Sequence, residues 1–134
     1  MLETIFVMPL RYKCLKRGTL MNKKVKETWI KALKSGEFKQ GKGYLESDGK
    51  YCALGILSLL SLVEGQCTYY QVDGLGRFDN KRFTLSYNTL NWAGMDLEDF
   101  KADILFEGEL TSIGDLNDRG VSYKELARII DQKF

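Results

Sequence analysis

The residues best suited to chemistry lie between positions 39 and 52: Lys39-Gln40-Gly41-Lys42-Gly43, then Lys50, then Cys52. The glycines let a backbone approach a ligand closely, the lysines supply positive charge, and Cys52 stands where a helix is expected to start. Together they could hold an anion against the free N–H groups of that helix start. They do not form a P-loop, because no Gly-Lys-Ser/Thr stands at the needed spacing. The competing reading is a surface turn with its lysines in water.

Cys52 invites a second chemistry. A helix N-terminus favours thiolate, and a glutamine upstream of such a cysteine, here Gln40, resembles papain-like hydrolases, where it helps build the oxyanion hole. The chain has no histidine, so Asp or Lys would have to replace the usual base. The same absence removes most zinc sites. A buried cysteine packing as a small hydrophobe is the plainer account. The three cysteines (Cys14, Cys52, Cys67) form no C-x-x-C pair. Reduced thiols are expected, as in a cytosol.

Asp99, Asp103 and Glu107 recur every four residues and could line one helix face toward Mg²⁺, although a solvated face explains them better. No metal and no cofactor is expected. Ser122-x-x-Glu125 after Asn117-Asp118-Arg119-Gly120 gives a helix, turn and helix that resembles a DNA-binding motif. Residues 109–134 carry 5 acids against 4 bases, the wrong sign for phosphate contacts. A helix-turn-helix-like nucleic-acid binder is therefore only an alternative, and packing is the better account.

These residues need elements to hold them. Asn22 can cap a helix through Lys34, with Val25, Trp29, Ala32 and Leu33 on one face. Tyr44-Leu45-Glu46 and Lys50-Tyr51-Cys52 flank Ser-Asp-Gly as a short hairpin. A helix over about 52–64, apolar nearly all round, is expected at the centre of the core. Strands are expected at 68–72 and 82–85, a helix at Ser86–Ala93, and a further helical turn or two from Asp96 through Phe106. Leu110, Ile113 and Leu116 should share one face of a short helix, and Ser122 should start the last, with Tyr123, Leu126, Ala127, Ile129 and Ile130 inward.

At 134 residues, with 44% hydrophobic and 28% charged residues, the chain reads as one domain. No apolar run is long enough for a membrane span. The net charge of +2 divides into +7 over residues 1–50 and −5 over 51–134, which points to an anionic partner or to two faces that pack together. Residues 1–20 look unlike the rest and fail as a secretory signal. They are read as an upstream or non-native extension before a start at Met21, the alternative being an edge strand. Residues 21–134 form the expected single globular domain.

Trp29-x-x-Ala32-Leu33-x-Ser35-Gly36, Gln40-Gly41-x-Gly43-x-Leu45, Gly49-x-x-Cys52-x-Leu54-Gly55 and Leu116-Asn117-Asp118-x-Gly120-x-Ser122 together resemble a set of small proteins encoded by tailed bacteriophages and prophages. That set has no assigned reaction. Its usual members carry a second cysteine where this chain has Ala53, so a paired-thiol role does not carry over. The resemblance implies the cytoplasm of an infected bacterium, where small accessory phage proteins often block host enzymes or defence systems.

The expected fold is α+β, mainly α: about five helices around a central apolar helix (about 52–64) with one or two short β-hairpins. The expected function is non-enzymatic. A phage accessory protein would inhibit or sequester a host or defence component by binding, either a protein or an anionic, nucleotide-like ligand held by Lys39, Gln40, Gly41, Lys42, Gly43, Lys50 and Cys52. The alternatives are a Cys-dependent hydrolase-like enzyme using Cys52, and the nucleic-acid binder. Neither membrane nor DNA is an expected partner, and homo-oligomerisation stays open.

Overall fold

The computed structural model describes residues 21–134 and the backbone of one earlier strand, β1 (Tyr12–Cys14). Most of the stretch read as an upstream extension, including its apolar run at 2–10, lies outside the described residues. Helix α1 (Lys23–Lys34) starts where Asn22 Oδ1 accepts from Val25 N at 3.0 Å, and buries Val25, Trp29 and Leu33. Its Trp29 Nε1 donates to Ala53 O at 2.9 Å, tying it to the first turn of α2 (Ala53–Val63).

Between these helices run three two-residue strands, β2 (Lys39–Gln40), β3 (Glu46–Ser47) and β4 (Lys50–Tyr51). Asp48 and Gly49 take φ of 50° and 80°, the double left-handed turn that suits a two-residue hairpin. After α2 come the hairpin β5 (Tyr69–Val72) and β6 (Leu75–Phe78), then α3 (Tyr87–Ala93) and a 3-10 turn at Leu97–Phe100. The hairpin β7 (Ile104–Phe106) and β8 (Glu109–Thr111) precedes α4 (Ile113–Asp118) and α5 (Tyr123–Lys133). One sheet has the order β2-β4-β3-β6-β5, parallel at β2·β4 and antiparallel elsewhere; the other is β1-β7-β8, all antiparallel.

The expectation of a mainly helical fold around one central helix is corrected. Eight strands among the described residues build two sheets, more than one or two hairpins. The core is shared: Trp29 of α1, Ile56 and Leu57 of α2, Leu116 of α4 and Leu126, Ile129 and Ile130 of α5 meet Leu45, Phe78 of β6 and Ile104 of β7. Helix α2 is buried through Ser58 but leaves Val63 at its end 73% exposed.

Three local expectations also fail. Arg82–Leu85 is not a strand; Leu75–Phe78 is, with Gly76 and Phe78 buried in alternation. The helix expected through Phe106 stops after the 3-10 turn, so Asp99, Asp103 and Glu107 do not share one helix face. Leu110 lies in β8, 55% exposed, outside the helix predicted to hold it. Among the described residues no helix is long and apolar enough to cross a membrane.

Candidate functional site

The Lys39–Gly43 loop and the start of α2 are brought together, and Asn117 joins them. This side chain is fully buried in the last turn of α4. Its Oδ1 accepts from Gln40 Nε2 at 2.9 Å and from Ala53 N at 3.1 Å, and its Nδ2 donates to Gly41 O at 2.8 Å. Gln40 Nε2 also donates to Val121 O at 2.7 Å. Asp118 completes the clamp: its Oδ1 accepts from Gly43 N at 2.9 Å. The Tyr123 hydroxyl donates to the carbonyls of Tyr51 and Lys39.

This geometry gives two donors of the expected anion loop and helix start partners within the chain itself. Gly43 N already faces a carboxylate of the chain itself, and Ala53 N already has an amide oxygen. A donor so satisfied, whether exposed as at Gly43 or buried as at Ala53, has little to offer a ligand. Lys39 and Lys50 occupy paired positions of β2 and β4, both exposed. Lys42 is exposed as well, its ammonium lying over Gly120. The loop is built as a structural latch with lysines on its outer side.

Cys52 is the N-cap of α2, and its Sγ accepts from Gly55 N at 3.3 Å. Burial pushes its thiol up to about 11, and the nearby Asp118 charge adds to the rise. The backbone donors at the helix start pull the other way without prevailing. A thiol held there stays protonated near neutrality, unlike a nucleophile. Among the described residues no group of three His, Cys, Asp or Glu side chains could hold a metal ion.

Beside the latch the surface opens into two adjoining hollows. The first, about 380 Å³, lies between Gly43, Leu54, Phe83, Leu85, Leu97 and Phe100, with Lys101, Asp115 and Asp118 at its edge. The second, about 530 Å³, shares Leu85 and Leu97 and continues to Leu90, Met95 and Tyr87. Phe83 and Leu97, which line the first hollow together, are 53% and 56% exposed. Phe83 stacks on Tyr44 at 5.2 Å between centroids, with the Arg82 guanidinium 4.9 Å from its ring. No sequence pattern marks this groove, since its walls come from four separate stretches. Asn117 and Asp118 stand in the Leu116-Asn117-Asp118 motif, where sequence alone suggests only a helix stop.

Fold and site define a small α+β domain with an internally latched glycine loop beside an open apolar groove. The chain belongs to the family described as a domain of unknown function (DUF8296), whose model matches residues 21–134. Neither a curated protein nor a solved structure matches it.

Proposed function

We propose that this protein acts by binding rather than catalysis, and that it grips a protein segment bearing apolar anchor residues and a basic side chain. The observation that supports this reading is the groove: its two hollows share Leu85 and Leu97, and the carboxylates of Asp115 and Asp118 line the first against the one ammonium of Lys101. Two adjoining apolar hollows suit two anchors of one segment, and the excess of two carboxylates over one ammonium in the first suits a Lys or Arg beside them. An anionic, nucleotide-like ligand fits less well, because it would meet those carboxylates and a loop whose Gly43 donor is taken. A hydrolase using Cys52 would start from a buried, protonated thiol. In the setting that the phage resemblance implies, the host bacterial cytoplasm, the segment belongs to a host or defence protein that is inhibited or sequestered.

The test is capture from host lysate by the tagged protein and by its variants. Leu97→Asp and Phe83→Ala abolish capture, each removing about 2 kcal/mol or more of binding if these are anchor contacts. Undiminished capture by Leu97→Asp overturns the groove. Binding lost instead through Lys42→Ala or Lys50→Ala, and weakened by salt, would return the anion reading.

A further inference from the structure

We infer that two copies of this chain pair through β5, antiparallel across a twofold axis at Tyr70, joining their five-stranded sheets into one. Strand β5 is the end of its sheet, and no described strand lies beyond it. All four of its residues are exposed. Native sheet edges are ordinarily guarded by a lysine, a proline, a bulge or extreme shortness. The opposite edge of this sheet, β2, is two residues long and carries Lys39, and the β8 edge of the other sheet carries Glu109. Strand β5, Tyr69-Tyr70-Gln71-Val72, carries no charge and no proline.

The register follows from the hairpin. Asp79 N donates to Thr68 O at 2.9 Å, so the Thr68 peptide faces β6. Alternation then turns the N–H and C=O groups of Tyr70 and Val72 toward β6 and those of Tyr69 and Gln71 outward. A twofold axis at Tyr70 sets Tyr69 opposite the partner's Gln71 in a hydrogen-bonded pair on either side. Each Tyr70 then meets its copy, and Val72 meets the partner's Thr68. Tyr69 and Gln71 are held on the other face, where Tyr69 Oη donates to Glu46 Oε1 at 2.5 Å and Gln71 Nε2 to Glu46 Oε2 at 3.3 Å. Tyr70 and Val72, 47% and 39% exposed, gain an aromatic and β-branched cross-strand surface. No charge of β5 falls opposite a like charge, so the strand is complementary to itself, as a twofold contact requires.

The inference is independent of the groove and is tested without any ligand. Sedimentation of the wild type is expected to give a mass that climbs from 15.4 kDa toward twice that value with concentration. Tyr70→Lys, which sets two ammonium groups face to face, is expected to weaken the dimer at least tenfold while leaving the circular dichroism spectrum unchanged. Under mild oxidation Tyr70→Cys is expected to form a disulfide dimer at least ten times faster than Val72→Cys, whose thiols would lie about 13 Å apart in this register. A mass fixed at 15.4 kDa up to about 1 mM overturns the proposal. So does a dimer indifferent to Tyr70→Lys, or equal cross-linking at the two positions.

Discussion

Asn117 caps a helix that is not its own: its Oδ1 stands 3.1 Å from the backbone N of Ala53, 64 residues earlier in the chain. One amide thereby fastens α4 to the amino end of α2 and, through Gln40 and Gly41, to the glycine loop. Asn117→Ala leaves the Ala53 N–H and the Gly41 carbonyl without that partner in the interior. Unmet buried groups cost about 1–3 kcal/mol each, so a loss of about 3 kcal/mol is expected from urea unfolding. A loss under about 1 kcal/mol would mean that water or backbone movement replaces the latch.

Gly55 is fixed by close approach. A Cβ there would stand 1.8 Å from Leu45 O, which is backbone and cannot turn aside. At Gly114 the nearest atom would be 3.7 Å away, at the tip of Leu54. Gly55→Ala is therefore expected to cost about 3 kcal/mol or more, or to prevent folding, whereas Gly114→Ala stays within about 1 kcal/mol of wild type. Thermal melts of the two variants side by side make the comparison.

What could be read from the sequence was local. Asn22 and Ser122 announce α1 and α5 because their side chains bond to amides three residues on, and Asp48-Gly49 announces its turn through backbone angles alone. The strands β6 and β7 were missed for the opposite reason. Leu75-Gly76-Arg77-Phe78 has too little alternation to stand out. Ile104-Leu105-Phe106 follows a helix cap at Asp96, which favours a helical reading, and of its two partners only Glu109–Thr111 is close by, Tyr12–Cys14 lying far back in the chain. The latch was half legible: the glycine loop drew notice, but its closing residues sit about 75 positions away, beyond any periodicity.

Alkaline pH is expected to weaken the fold in a particular window. Burial raises the Cys52 thiol from 9.0 to about 11. Between those values the unfolded chain gives up a proton that the folded chain keeps, so the unfolded state binds fewer protons and stability falls as pH rises. Below about pH 9 this contribution is flat. Tyr69, raised to about 12 by burial and by Glu46, extends the fall upward. Urea midpoints from pH 8 to 11 are expected to drop across the window, and to drop less steeply in Cys52→Ser. Iodoacetamide at pH 7.5 is expected to leave Cys52 unmodified until the protein is denatured, as read by peptide mass spectrometry; labelling of the native thiol would contradict its burial.

The buried ion pair of Lys133 and Asp103 ties α5 to the residue before β7. Lys133 Nζ lies 2.8 and 2.7 Å from the two carboxylate oxygens, and its side chain is 1% exposed. Removing one partner strands the other charge, which ordinarily costs about 3–5 kcal/mol, whereas replacing both by apolar residues can be nearly neutral. Because Asp103 is 18% exposed and can draw on water, Lys133→Ala belongs at the lower end, about 3 kcal/mol. Lys133→Met combined with Asp103→Leu should recover most of that loss. The surface pair Lys26–Asp131, with Asp131 54% exposed, is the control and should be worth under about 1 kcal/mol. Raising salt should erode the Lys26 contribution and leave the Lys133 coupling nearly intact. A double-mutant cycle at low and high salt measures both couplings, and equal salt sensitivity would show that Lys133 is solvated in solution.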